Sequence, residues 1–189
     1  MKIGILALQG DFDAHRKRLE ELGVEAILVK KPQQLDQIDG LIIPGGESST
    51  FLKLLDAAGF ARLREYVTTH PVFGTCAGCI LLAREVHNPQ QVGLGAIDIG
   101  VERNAYGRQI NSFITTVPTK IGEIELVFIR APRITRVGDG VEVLATEKND
   151  PVLVRQGKVL AATFHPELSN DKRVHQVFVE MVQSHARHE

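Results

Sequence analysis

Val72-Phe73-Gly74-Thr75-Cys76-Ala77-Gly78-Cys79-Ile80-Leu81-Leu82-Ala83 is the stretch that decides the fold of this 189-residue chain. Val72-Phe73 is short and apolar and reads as a buried strand. Gly74 to Gly78 is a tight turn of small residues carrying a thiol, and Cys79 to Ala83 continues as an apolar helix. Strand, sharp turn, helix is the unit from which parallel α/β sheets are built. A cysteine at such a turn faces a helix N-terminus, where the dipole and free backbone N–H groups favour a thiolate.

Working outward, the N-terminal half repeats the unit. Lys2 to Leu8 is β-capable and is ended by Gln9-Gly10-Asp11. Asp13 to Leu22 is helical and stops at Gly23, a C-cap residue. Val24 to Val29 is a second strand, Gln33 to Ile38 a short connector, and Gly40 to Ile43 a third strand broken by Pro44-Gly45-Gly46. Ser48 or Ser49 is expected to cap a helix through Phe51, Leu52, Leu54 and Leu55, and a further helix spans about 62–69. The alternation predicts an α/β fold with a mostly parallel, twisted sheet flanked by helices on both faces. Sites in such sheets collect beyond the carboxyl ends of the strands. The loops Gln9 to Asp11, Pro44 to Ser49 and Gly74 to Gly78 all fall there. From Gly95 onward additional strands dominate: Ile97 to Val101, Ile110 to Val117, Ile124 to Arg130, Val141 to Thr146 and Val152 to Phe164. A last helix covers about 170–185. No linker interrupts the chain, so residues 1–189 are expected to form a single domain.

Composition sets limits. Hydrophobic residues are 43% and charged residues 24%, with 22 basic against 23 acidic side chains and a net charge of −1. These are ordinary values for a cytoplasmic enzyme. With no basic run, neither nucleic acid nor an anionic membrane is the expected partner. Met1 to Leu8 reads as a buried strand rather than a signal peptide, and no apolar run approaches the ~20 residues of a membrane span. Two cysteines exclude a disulfide framework.

The chemistry-bearing partner of the cysteine turn is Phe164-His165-Pro166-Glu167, which closes the apolar run Val159 to Phe164. A thiol, an imidazole and a carboxylate at strand ends are the parts of an acyl-transfer site. The other reading of Cys76 is a small buried hydrophobe. The flanking glycines favour the nucleophile: Gly74 and Gly78 permit the close approach and unusual dihedrals of a nucleophile elbow. The Ala77 N–H would point where an oxyanion forms. Cys79 sits among apolar neighbours and reads as core packing, since Cys76-x-x-Cys79 lacks the second pair of a structural zinc site. His15, His70, His87, His175, His185 and His188 lie in polar stretches and are expected to be solvated. Glu167, two positions after His165, would face the same side of an extended segment and hold the imidazole. Gly45-Gly46 is weak as a nucleotide signal but could donate a second N–H to the oxyanion. Arg103 and Arg130 are either solvated charges or substrate contacts; Arg130 ends the apolar run Leu126 to Ile129.

Three motifs together, Pro44-Gly45-Gly46-Glu47-Ser48-Ser49, Gly74-Thr75-Cys76-Ala77-Gly78 and Phe164-His165-Pro166-Glu167, resemble those of class I (triad-type) glutamine amidotransferases. Leu6-Ala7-Leu8-Gln9-Gly10, the segment Val101-Glu102-Arg103-Asn104-Ala105-Tyr106-Gly107-Arg108-Gln109, and Phe128-Ile129-Arg130-Ala131-Pro132 are similar to the glutaminase subunits of two-subunit pyridoxal 5′-phosphate synthases. The resemblance spans essentially the whole chain and departs from the pattern at Cys79. It implies a flavodoxin-like amidotransferase fold and hydrolysis of L-glutamine to glutamate and ammonia. It further implies Cys76 as nucleophile, His165 as acid and base, Glu167 as its orienter, and Gly46 and Ala77 as the oxyanion hole. By the same resemblance Gly46, Glu47, Ser48, Arg103, Ile129 and Arg130 would hold glutamine. The ammonia would pass to a (β/α)8 synthase subunit in a multi-subunit complex, and no metal or cofactor would be needed. The competing readings are a cysteine hydrolase or glutaminase serving another acceptor, and a non-catalytic binding protein of the same fold.

Overall fold

The computed structural model describes residues 1–105 and 112–187. Tyr106, Gly107, Arg108, Gln109, Ile110 and His188, named above, lie outside the described residues. The N-terminal half forms β1 (Lys2–Leu6), α1 (Phe12–Glu21), β2 (Glu25–Val29), a 3-10 turn at Pro32–Gln37, β3 (Gly40–Ile43), α2 (Ser48–Leu54), α3 (Ala57–Thr69), β4 (Val72–Thr75) and α4 (Ala77–Leu82). Then follow β5 (Ala83–His87), β6 (Ile97–Glu102), β7 (Ser112–Thr119), β8 (Gly122–Ile129), β9 (Arg133–Val137), β10 (Glu142–Glu147), β11 (Asp150–Gln156), β12 (Val159–Ala162), a 3-10 turn at Pro166–Leu168 and α5 (Arg173–Ala186).

The central sheet runs β10-β11-β12-β4-β3-β1-β2. Its pairs from β12 to β2 are parallel, and β10 and β11 extend one edge antiparallel. The order reverses between β1 and β3, since β2 lies on one side of β1 and β3 on the other. That reversal is the switch point at which such sheets open a crevice. Two satellite sheets, β5-β6-β9 and the hairpin β7-β8, complete the described strands.

Alternation along the strands sorts side chains onto two faces. Leu41 and Ile43 of β3, Val72 of β4 and Ala161 of β12 enter a core with Phe51, Leu63 and Tyr66 from α2 and α3. Ile42, Phe73 and Leu160 enter the opposite core with Leu19 of α1 and Phe178 and Val182 of α5. The β7-β8 hairpin adds Ile124, Leu126 and Phe128 to that second core. β3, β4 and β12 are therefore buried and apolar on both sides, the signature of the centre of a parallel sheet.

Several expectations change in detail. The helix after the glycine loop is capped by Glu47, whose carboxylate accepts from the Ser49 N–H, and Ser48 is its first residue. The next helix starts at Ala57 because Asp56 caps it by accepting from the Gly59 N–H at 2.6 Å. Strands β5 and β9 are additions to the sequence expectation: Ala83–His87 follows a helix without a turn signal, and Arg133–Val137 mixes charged, polar and apolar residues without strict alternation. Within the Val152 to Phe164 run the chain turns after Gln156, where Gln156-Gly157 reads as a turn, and the second strand ends at Ala162 rather than Phe164. Phe178 is fully buried, with its ring centroid 5.7 Å from that of Phe73. Phe178→Ala should lower the unfolding free energy by about 3–5 kcal/mol, read as a drop in the urea midpoint at unchanged slope.

Candidate active site

Parallel register brings the site together. Ile43 lies beside Gly74 and Thr75 beside Ala162, so the chain leaves β3, β4 and β12 at one carboxyl edge. Cys76 follows β4 with φ +48° and ψ −104°, and its N–H donates to Ala162 O at 2.9 Å. An L-residue in that conformation is strained by about 1–3 kcal/mol and persists only where its surroundings hold it. The strain thus falls on Cys76 itself. Gly74 and Gly78, expected to carry unusual dihedrals, serve instead as points of close approach: a Cβ on Gly78 would lie 2.0 Å from Ile43 O.

His165 sits just beyond β12, 8% exposed, and its backbone N–H donates to Val127 O at 2.8 Å, so β8 braces it. Its Nδ1 is 2.6 Å from Oε1 of Glu167, which is 2% exposed. The expected extended segment is replaced by the Pro166–Leu168 3-10 turn. Proline's fixed φ suits the first position of a helical turn, and the turn curls Glu167 back onto the ring. Burial alone would lower the His165 pKa, but its hydrogen bonds to the Cys76 thiol and to Glu167 push it up to about 10. Burial alone would raise the Glu167 pKa; His15 and His165 beside it hold the carboxyl below its usual range.

The Pro44–Ser49 loop closes over this pair. A Cβ on Gly45 would lie 2.5 Å from His165 Cε1 and 3.4 Å from Cys76 Cβ, so only glycine fits there. The Gln9 side chain clamps the next peptide: its Oε1 accepts from the Glu47 N–H at 3.1 Å and its amide donates to Glu47 O at 3.2 Å. Gly46 lies against the same amide, and Ala77 is the first residue of α4. The Glu47 carboxylate is engaged by Arg103 at 3.0 Å and by the Ser49 hydroxyl at 2.9 Å. Ser48 is buried, and its hydroxyl donates to Gln91 rather than facing the thiol. The Ile129 carbonyl lies 4.0 Å from Cys76 Sγ, and Arg130, exposed with φ +46°, follows it. Cys79 is fully buried, and burial raises its thiol pKa steeply, leaving it inert at neutral pH.

The structure gathers Cys76, His165, Glu167, Gly46, Ala77, Glu47, Arg103 and the Ile129 backbone at one edge. It also overturns the expectation that His15 and His175 are solvated: both are 0% exposed. His15 stands 3.4 Å from Glu167 Oε2. Spacing carried the missed signal, because Phe12, His15, Leu19 and Leu22 recur along one helical face. The site can form and resolve an acyl-thioester, with the imidazole moving the protons.

The sequence matches the SNO glutamine amidotransferase family over residues 5–184. The chain belongs to that family. It is 66% identical to a pyridoxal 5′-phosphate synthase subunit PdxT from Koribacter versatilis, covering 97% of both chains. It is 52% identical to the subunit of that name from Thermotoga maritima, covering 96% of this chain and 100% of the relative. A crystal structure described as a glutamine amidotransferase superposes with a TM-score of 0.91 at 48% identity, covering 96% of this chain and 98% of that one. A putative GMP synthase component from Thermoplasma acidophilum, 18% identical, shares the fold with a TM-score of 0.72 over 99% of this chain and 96% of its own. Among the described residues no helix is long and apolar enough to cross a membrane.

The electrostatics can be tested directly. Cys76→Ala removes one of the groups that raise His165 and leaves burial in place, so the His165 pKa should fall from about 10. An NMR titration of the histidine ring signals reads the shift; an unmoved His165 would show that the thiol is not its partner.

Proposed function

We propose that this chain hydrolyses L-glutamine to L-glutamate and ammonia at Cys76, His165 and Glu167, and delivers the ammonia to a synthase subunit that makes pyridoxal 5′-phosphate. The observation that carries this reading is the strained Cys76 at the N-terminus of α4, beside an imidazole held by a buried carboxylate 2.6 Å away. Family membership and the PdxT relatives support the substrate and the pathway.

The Cys76 thiolate attacks the side-chain amide carbon of glutamine. The oxyanion is taken by the N–H groups of Ala77 and Gly46, which act where charge develops. His165, as imidazolium, protonates the departing nitrogen, and ammonia leaves with the thioester formed on Cys76. His165, now neutral, takes a proton from water, the hydroxide attacks the thioester, and collapse of the tetrahedral intermediate expels the Cys76 thiolate, restoring the thiolate–imidazolium pair while the new carboxyl group of glutamate gives its proton to solvent. Glu167 fixes the imidazole orientation and stabilises its cation. Arg103, Arg130, Glu47 and the backbone at Ser48 and Ile129 bind the α-carboxylate and α-ammonium of the substrate. The acceptor of the ammonia is a (β/α)8 synthase subunit in a multi-subunit complex, and the Gln9 clamp on Glu47 holds the loop that carries Gly46 beside the thiol.

The test is reconstitution: the chain, the candidate synthase, glutamine and pentose and triose phosphates, followed by the absorbance of pyridoxal phosphate. Glutamine-dependent product should appear with wild type. Cys76→Ala should abolish it by several orders of magnitude, while Cys79→Ala should retain most of it. Turnover by the Cys76 variant would overturn the assignment.

Substrate binding has its own measurement. Arg103→Ala and Arg130→Ala should each weaken glutamine binding by roughly 1.5–3 kcal/mol, the worth of a charge-assisted hydrogen bond. This reads as a raised KM with Cys76 still reactive toward a small thiol reagent. Normal glutamine kinetics in both variants would leave these arginines outside the pocket.

A further inference from the structure

We infer that His15 is a positioning residue for Glu167, locked as its Nε2–H tautomer by His175, so that the line from Cys76 through His165 and Glu167 continues into a buried imidazole pair. The inference rests on the triad reading proposed above.

The pair lies between α1 and α5, behind the carboxylate. His15 Nε2 is 3.4 Å from Glu167 Oε2 and 3.1 Å from Thr75 Oγ1, the residue preceding the nucleophile. His15 Nδ1 is 2.9 Å from His175 Nε2. Glu167 Oε2 and His175 Nδ1 have no hydrogen bond of ordinary geometry. Burial dominates in lowering both imidazole pKa values, so each ring is neutral near pH 7 and carries one N–H.

Two proton arrangements are then available, and two separate arguments choose the same one. If His15 carried its proton on Nδ1, the bare Nε2 could accept from the Thr75 hydroxyl at 3.1 Å, but its lone pair would still lie 3.4 Å from an anionic carboxylate oxygen in a dry site, where repulsion is large. His175 would then have to accept at Nε2, stranding its own N–H at Nδ1 with no acceptor, and orphaned buried donors are the rarer defect. With the proton on Nε2, His15 presents a positive dipole to Glu167 and Thr75. Its Nδ1 accepts from His175 Nε2–H, and only a bare nitrogen is left without a partner. An apolar side chain would fill this slot without the desolvation cost of two imidazoles, so a packing role alone does not account for the pair.

The chemical consequence is confined to Glu167. Its Oε1 serves His165, and the His15 dipole supports the negative charge on Oε2, so the carboxylate stays ionised and in register with the ring. The other charged groups facing the pair are His165 across the carboxylate, Asp11 before α1 and Arg18 on α1. Removing the Nε2–H raises the Glu167 pKa. Because the ionised form is the one that holds His165, activity is then lost at a higher pH on acidification.

Two measurements test this. Two-bond 1H–15N correlation NMR on the full chain with 15N-labelled histidine should show His15 and His175 both as Nε2–H near neutral pH. A His15 ring protonated at Nδ1, or doubly protonated, overturns the inference. In the reconstituted complex, His15→Leu should lower kcat about ten- to a hundredfold, as removal of an orienting group does elsewhere, with KM unchanged and the acid limb of the kcat profile moved to higher pH. His15→Gln, whose amide N–H can reach the carboxylate, should restore most of the rate and return the limb. An unmoved limb, or equal rates in the two variants, overturns the inference. Should His15→Leu not fold by circular dichroism, the wild-type tautomer decides alone. Cys76→Ala in the same assay separates the levels: if that variant turns over, the triad reading itself has failed.

Discussion

Everything at the carboxyl edge depends on the in-register parallel pairing of β4 with β3 on one side and β12 on the other. Ile43, Gly74 and Ala161 stand level, and Thr75 with Ala162 one residue on. The three chains therefore leave the sheet together, and whatever follows each strand must share one small space. The Cys76 N–H bonded to Ala162 O locks the turn to β12, and Gly78 pressed against the β3 carbonyl seats α4. A shift of one residue in β12 would move the backbone partner of Cys76 and turn alternate side chains to the wrong core.

A second constraint grows out of the first. Glu167 is a carboxylate in a nearly dry position, and an unpaired buried charge is too costly to keep. Its surroundings answer that cost with His165 on one oxygen and the His15 dipole near the other. The same requirement ties distant parts of the chain together. His15 comes from α1, His175 from α5, Thr75 from β4, and the Val127 carbonyl that steadies His165 from the β8 hairpin. Packing of both helices on this face and the electrostatics of the imidazole are thus one problem with one solution.

The glycine loop shows how flexibility is made specific. Gly45 exists to let backbone approach His165 and Cys76, and Gly46 sits against the Gln9 amide. Gln9 accepts from the Glu47 N–H and donates to the Glu47 carbonyl, and Arg103 holds its side chain. The loop's orientation is therefore set by residues from β1's end and from beyond β6, not by its own sequence.

By itself the sequence determined the α/β alternation, the three loops at the strand ends and the placement of Cys76, His165 and Glu167 just beyond two of the strands. Those signals are local: apolar strand runs, glycine turns, and reactive side chains at the ends of both. Cys79 was also legible as core, since apolar residues surround it in the chain. Only the tertiary structure decided where the backbone strain falls, that Glu167 reaches its partner through a 3-10 turn, that Glu47 rather than a serine caps α2, and that Ser48 faces Gln91. It alone placed His15 and His175 behind the carboxylate. The helical spacing of His15 with Phe12 and Leu19 marks a buried face, but what that face meets, Phe73 of β4 and His175 of α5, is a long-range contact that no local pattern carries.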